Sequence, residues 1–84
     1  MLLGRDMRRV PVDSSVIATV GYSPKSKLLE VEFQTGFVYQ YYEVPKRVYD
    51  ALMRAKSVGS YFNRFIRDKY RFSDLSTAIY EEFR

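Results

Sequence analysis

Leu28-Leu29-Glu30-Val31-Glu32-Phe33-Gln34-Thr35-Gly36-Phe37-Val38-Tyr39-Gln40-Tyr41-Tyr42 carries the decision about this fold. Two runs of strand formers flank one connection, Gln34-Thr35-Gly36, and that connection sets which side chains share a face. A two-residue turn on Thr35-Gly36 needs positive φ at Thr35, which a β-branched side chain resists. A three-residue loop needs positive φ only at its last position, where Gly36 stands. Phe33 is therefore expected opposite Phe37. In that register Leu29, Val31, Phe33, Phe37, Tyr39 and Tyr41 lie on one face, almost wholly apolar or aromatic. Leu28, Glu30, Glu32, Val38, Gln40 and Tyr42 lie on the other, which is mixed and acidic.

Upstream, Val16-Ile17-Ala18-Thr19-Val20 reads as a further strand. It joins the hairpin through Ser23-Pro24-Lys25-Ser26, where proline presets a turn dihedral. Residues 1–9 hold Arg5, Arg8 and Arg9 with little apolar periodicity and read as a flexible basic arm. Downstream the period changes at Val44-Pro45. Pro45 suits the first position of a helix, and Val48, Tyr49, Leu52 and Met53 then recur at helical spacing. Ser57 to Ser60 interrupts, with Gly59 marking a bend and Ser60 capping a second helix. The apolar stripe of that helix is Phe62, Phe65, Ile66 and Tyr70. A short third helix is expected from Asp74, capped by Ser73, with Leu75, Ile79 and Phe83 on one side.

These elements predict an α+β protein: an antiparallel meander of three or four strands with two to three helices packed on one face. The arm covers 1–9, the domain 10–72 and a helical tail 73–84. Leu29, Val31, Phe33, Leu52, Phe62, Phe65 and Ile66 are the expected core, each contributing ~1.5–3 kcal/mol on burial before conformational entropy is counted.

Composition narrows the function. The chain has 84 residues, of which 46% are hydrophobic and 17% aromatic, so it should fold as one small domain. It has no Cys, no His and no Trp. Disulfides, thiolate zinc sites and a cysteine nucleophile are therefore excluded, as are histidine bases and histidine metal ligands. No cofactor or metal is implied. The carboxylates are scattered, with Glu30/Glu32 and Glu81-Glu82 the only close pairs, and no constellation activates a Tyr nucleophile. No catalytic residue is assigned. The net charge of +4 suits nucleic acid or an acidic partner without demanding either. No apolar run approaches the ~18 residues of a membrane span, and the opening residues break their apolar run too early for a signal peptide. A cytoplasmic protein without a membrane partner is expected.

Several landmarks recur in order: Ser14-Ser15-Val16-Ile17, Val20-Gly21-Tyr22, Leu29-Glu30-Val31-Glu32-Phe33, Gly36, Tyr39-Gln40-Tyr41, Val44-Pro45, Ser57-Val58-Gly59-Ser60-Tyr61-Phe62-Asn63 and Ile66. As a set they resemble the KTSC domain, named for its occurrence at the C-terminus of some lysyl-tRNA synthetases. The resemblance spans roughly residues 10–71. It implies a central Tyr-x-Tyr motif at Tyr39 and Tyr41, beside the structural landmarks Gly36 and Pro45. It also implies, through the synthetase association, a link to RNA.

Three features are weighed for binding. Tyr39 and Tyr41 invite a stacking role on an open sheet. The register instead puts them with the core, their hydroxyls at its edge. The segment from Lys46 to Arg71 holds eight basic residues against Asp50 and Asp68, a larger positive balance than that of the whole chain. At about 100° per residue Arg64, Arg67 and Arg71 share an arc of the second helix. Arg47 and Arg54 share a face of the first, and Lys56 lies between. Arginine grips phosphate through two hydrogen bonds. The alternative is a solvated face, with Asp68 pairing to Arg64 or Arg71. The bend at Ser57, Gly59, Ser60 and Asn63 offers backbone N–H donors to an anion, or simply redirects the chain. Two functions follow: a nucleic-acid-binding module contacting RNA or DNA through these residues, or a protein-interaction module. The second would pair with another protein or a second copy through surplus aromatics (Tyr22, Tyr42, Tyr61, Tyr80 and Phe83) and a sheet edge.

Overall fold

A computed structural model describes residues 7–75. It shows a five-stranded antiparallel sheet in simple chain order, with two helices against it. The strands are β1 (Val10–Pro11), β2 (Ile17–Ser23), β3 (Leu28–Phe33), β4 (Val38–Tyr41) and β5 (Phe72–Asp74). Between the last two strands come α1 (Lys46–Arg54) and α2 (Val58–Phe65). The α+β meander is as expected, but the three or four strands become five. The additions are the edge strands β1 and β5, two and three residues long, too short to display an alternation. Pro11 sits on such an edge, where a missing N–H costs no ladder bond. β5 also corrects the expected start of a third helix: Ser73 and Asp74 pair with Gln40 and Tyr39 of β4. The remainder of that helix, with Ile79 and Phe83, lies outside the described residues.

The hairpin has the expected register. Leu29 faces Tyr41, Val31 faces Tyr39 and Glu32 faces Val38. The Phe33 N–H donates to the Phe37 carbonyl at 2.9 Å, and the Gly36 N–H donates to the Phe33 carbonyl at 2.8 Å. Gly36 alone in this loop takes positive φ, at 99°. β2 adds a feature that the sequence pattern hides. Ile17 and Val20 are three apart, so strict alternation would put them on opposite faces. A bulge between Ile17 and Thr19 absorbs the extra residue and buries both on the helix side.

The core lies between that side of the sheet and the helices. Leu29, Val31, Tyr41, Leu52, Phe62 and Ile66 are buried with Ile17, Val20, Val44 and Val58. Phe62 of α2 meets Phe33 and Tyr41 edge-on, with centroids 5.5 and 5.4 Å away. On the α1 side Tyr22 stacks on Tyr49 at 4.7 Å, and its hydroxyl donates to the Val44 carbonyl. Two of the surplus aromatics thus have internal roles, since the Tyr42 hydroxyl also bonds the Ser73 hydroxyl. Tyr80 and Phe83 lie outside the described residues.

The helices start and face differently from expectation by small, explicable amounts. Pro45 is the N-cap of α1 rather than its first turn, and its carbonyl accepts from the Val48 and Tyr49 N–H groups. Ser57, not Ser60, caps α2: its hydroxyl accepts from the Ser60 N–H at 3.2 Å. Gly59 is therefore no bend but a buried helical residue. A Cβ built there would stand 3.4 Å from Ser14 Oγ and 3.5 Å from Val16, so the glycine lets α2 lie against that turn. With the start moved, Val58, Phe62 and Ile66 form the inward stripe at four-residue spacing. Phe65, expected in the core, is 46% exposed and packs on Tyr61 instead.

The other face of the sheet is closed over its acids. Glu30 is only 8% exposed and pairs with Arg9 at 3.2 Å, while Gln40 donates to its other oxygen at 2.9 Å. The Thr19 hydroxyl donates to Glu32. Residues 7–9 cross above Gly21, where an added Cβ would stand 2.8 Å from Arg9 Cγ, so only glycine lets the chain come this close.

Candidate nucleic-acid interface

The two tyrosines of the central triplet have different fates. Tyr41 is 2% exposed beneath Phe62, and burial pushes its phenol up to about 12. Tyr39 is half-buried, stacked on Phe72 at 5.1 Å and edge-on to Phe33 at 5.4 Å. α2 covers Tyr41 and stops short of the hairpin tip. Beyond it a groove of about 490 Å³ opens, walled by Phe33, Phe37, Tyr39, Val16 and the flank of Phe62. Asn63, Arg67, Gln34 and Thr35 supply its polar atoms. Phe37 is 54% exposed at the loop, so a large ring faces solvent in the groove that Arg67 also lines.

A second cleft of about 310 Å³ lies across the start of α2. Lys56, Ser57, Gly59, Ser60 and Asn63 form one side and Asp13, Ser14, Ser15 and Val16 the other. The facing turn is built by Ser14, whose hydroxyl accepts from the Val16 and Ile17 N–H groups, both at 3.1 Å. Gln34 ties the same turn to the hairpin by donating to the Ser14 carbonyl at 3.0 Å. Ser15, Val16 and Asn63 line both clefts, so the polar bend and the aromatic groove are one continuous surface.

That surface draws on three separate stretches of the chain: the 13–16 turn, the β3–β4 hairpin and residues 56–67. Of the predicted binding residues, Lys56, Ser57, Gly59, Ser60, Asn63 and Arg67 are brought together there. Arg67 Nη1 donates to Asn63 Oδ1 at 3.5 Å, a long contact that leaves both groups available to a ligand. Arg47 and Arg54 are exposed on α1, away from both clefts. The helical arc of Arg64, Arg67 and Arg71 does not form. α2 ends at Phe65, and the Ile66 and Arg67 N–H groups both donate to the Phe62 carbonyl, so a wider turn replaces the regular helix. Arg64 lies over the Phe65 ring at 5.4 Å and Arg71 over Tyr42 at 5.8 Å. Among the described residues Asp68 pairs with neither; the ion pairs are those of Arg9 with Glu30 and Glu32 and of Lys46 with Asp50.

Phe37, Val16, Ser15 and Gln34 were not predicted site residues. The alternation assigned Phe37 to the core face correctly, but periodicity cannot say where a covering helix ends. Ser14-Ser15 before a strand is a turn signal, and its approach to α2 is tertiary information.

An antiparallel meander with two helices packed against it, and a groove between α2 and the hairpin tip, defines a small α+β domain. The chain belongs to the KTSC domain family, whose model matches residues 13–70. It is 42% identical over 64 residues to an uncharacterised protein of Stutzerimonas stutzeri, covering 76% of this chain and 90% of that one. It is also 40% identical over 75 residues to a lysine–tRNA ligase of Nostoc punctiforme, covering 86% of this chain but only 13% of the ligase. Among solved structures, a KTSC domain protein from Yersinia pestis matches with a TM-score of 0.77 and 39% identity. That match covers 81% of this chain and 96% of the other.

Proposed function

We propose that this chain is a non-catalytic nucleic-acid-binding module, with RNA the preferred partner. The observation that carries the reading is the continuity of the two clefts through Ser15, Val16 and Asn63. That continuity sets phosphate-type donors (Lys56, the Ser57 and Ser60 hydroxyls, Arg67) beside aromatic walls suited to bases. Arg47, Arg54, Arg64 and Arg71 add positive potential around it, which steers a polyanion without reading its sequence. RNA rather than DNA is favoured because relatives carrying this domain are named as lysine–tRNA ligases.

The test is a titration of the purified chain with RNA across ionic strength. With ~3 phosphate contacts, the logarithm of affinity should fall against the logarithm of salt with a slope near −2 for a single strand. Absence of binding to RNA and DNA at low salt ends the reading. The exposed rings of Phe37, Phe65 and Phe72 favour a second one, a protein partner or a second copy of this chain. Concentration-dependent sedimentation with no nucleic-acid binding would be its signature.

A further inference from the structure

We infer that the aromatic groove takes an unpaired nucleobase, so that the module binds single-stranded or looped segments in preference to duplex. The inference rests on the nucleic-acid reading above and adds what kind of nucleic acid fits. A base inside a duplex shows only its edges, because its faces are stacked on its neighbours. The groove is built to meet faces. Tyr39 is held by stacking on Phe72 and by the edge-on contact with Phe33, so these two walls are positioned before any ligand arrives. A backbone hydrogen bond between Phe33 and Phe37 fixes where the Phe37 side chain leaves the loop. Its volume, about 490 Å³, falls within the ~300–1,000 Å³ of small-ligand sites.

The polar complement matches a base and its phosphate. The Asn63 side-chain amide can donate to the edge of a base, while Gln34, whose amide N–H donates to the Ser14 carbonyl, keeps its side-chain oxygen to accept from one. Arg67 lines the same groove and supplies the charge that a flanking phosphate requires. The ring of Phe37 is 54% exposed on a hairpin loop, and stacking of a base on it would remove that surface from water. Unpaired bases of RNA and DNA share this chemistry, and the measurement separates them.

The experiment is fluorescence anisotropy with one labelled oligonucleotide sequence as single-stranded RNA, single-stranded DNA and RNA duplex. The full chain is compared with Phe37→Ala, Arg67→Ala and, as a control on the opposite turn, Lys25→Ala. A single strand should bind more tightly than the duplex. Phe37→Ala should weaken single-strand binding about tenfold and duplex binding little, because stacking on one ring is the interaction removed. Side-chain amide signals of Asn63 and Gln34 should shift on adding the single strand, which checks the site without relying on a variant. Equal affinity for duplex and single strand, or an unchanged Phe37→Ala with salt-dependent binding intact, overturns the base groove and leaves the electrostatic reading standing. Loss of all binding in the parent chain overturns both.

Discussion

Tyr41 is the residue on which the two faces of the hairpin turn. Its ring lies under Phe62 and its phenol is pushed up to about 12, first by burial and then by the neighbouring Tyr39. A raised phenol favours the protonated, neutral state in the fold. Its contribution is thus complete below the ordinary tyrosine value of 10.0 and is lost as pH climbs from there through about 12. Tyr22 is raised too, chiefly by burial. Chemical denaturation at rising pH should show stability level to about pH 10 and then falling by on the order of 2–3 kcal/mol, with Tyr41→Phe flattening most of that fall. A fall of the same size in Tyr41→Phe would place the responsible group elsewhere. Gly36 shows why so much of this was legible: one residue able to take positive φ fixes a register, and a register fixes every side chain on two strands.

The helices show where local reading stops. Sequence spacing alone admits two stripes on α2, one through Phe65 and one through Val58, and both are apolar. Ser57 decides between them by capping the helix three residues earlier than Ser60 would, and Gly59 lets that rotated helix sit against Ser14 and Val16. Both serines satisfy the preference for a capping hydroxyl, so nothing local distinguishes them. The consequence is measurable. Phe62→Ala should cost about 3–5 kcal/mol in urea denaturation, as a core aromatic does, and Phe65→Ala should cost less than about 1 kcal/mol. Equal losses would mean that Phe65 is as buried in solution as Phe62. The edge strands were illegible for a different reason: two or three residues next to proline or serine carry no period, and they become strands only because β2 and β4 offer ladders.

At the scale of the molecule the chain sorts its charge onto two sides. Acid is gathered on one face of the sheet and closed over by Arg9, while the side carrying the helices keeps its basic residues exposed. Between helix and hairpin tip that side retains an uncovered aromatic strip. One part of the interface expected from sequence, the arginine arc along the second helix, depended on α2 continuing to Arg71, and the wide turn after Phe65 breaks it. What replaces it draws on three separated stretches of chain, a combination that no spacing along the sequence announces.

Backbone amide chemical-shift mapping during titration with a short single-stranded RNA tests this most directly, since it reports location as well as binding. The amides of Val16, Phe37, Asn63 and Arg67 should move together and saturate at one stoichiometry. Shifts confined to the Glu30 and Glu32 side of the sheet, or none at any RNA concentration, would contradict it.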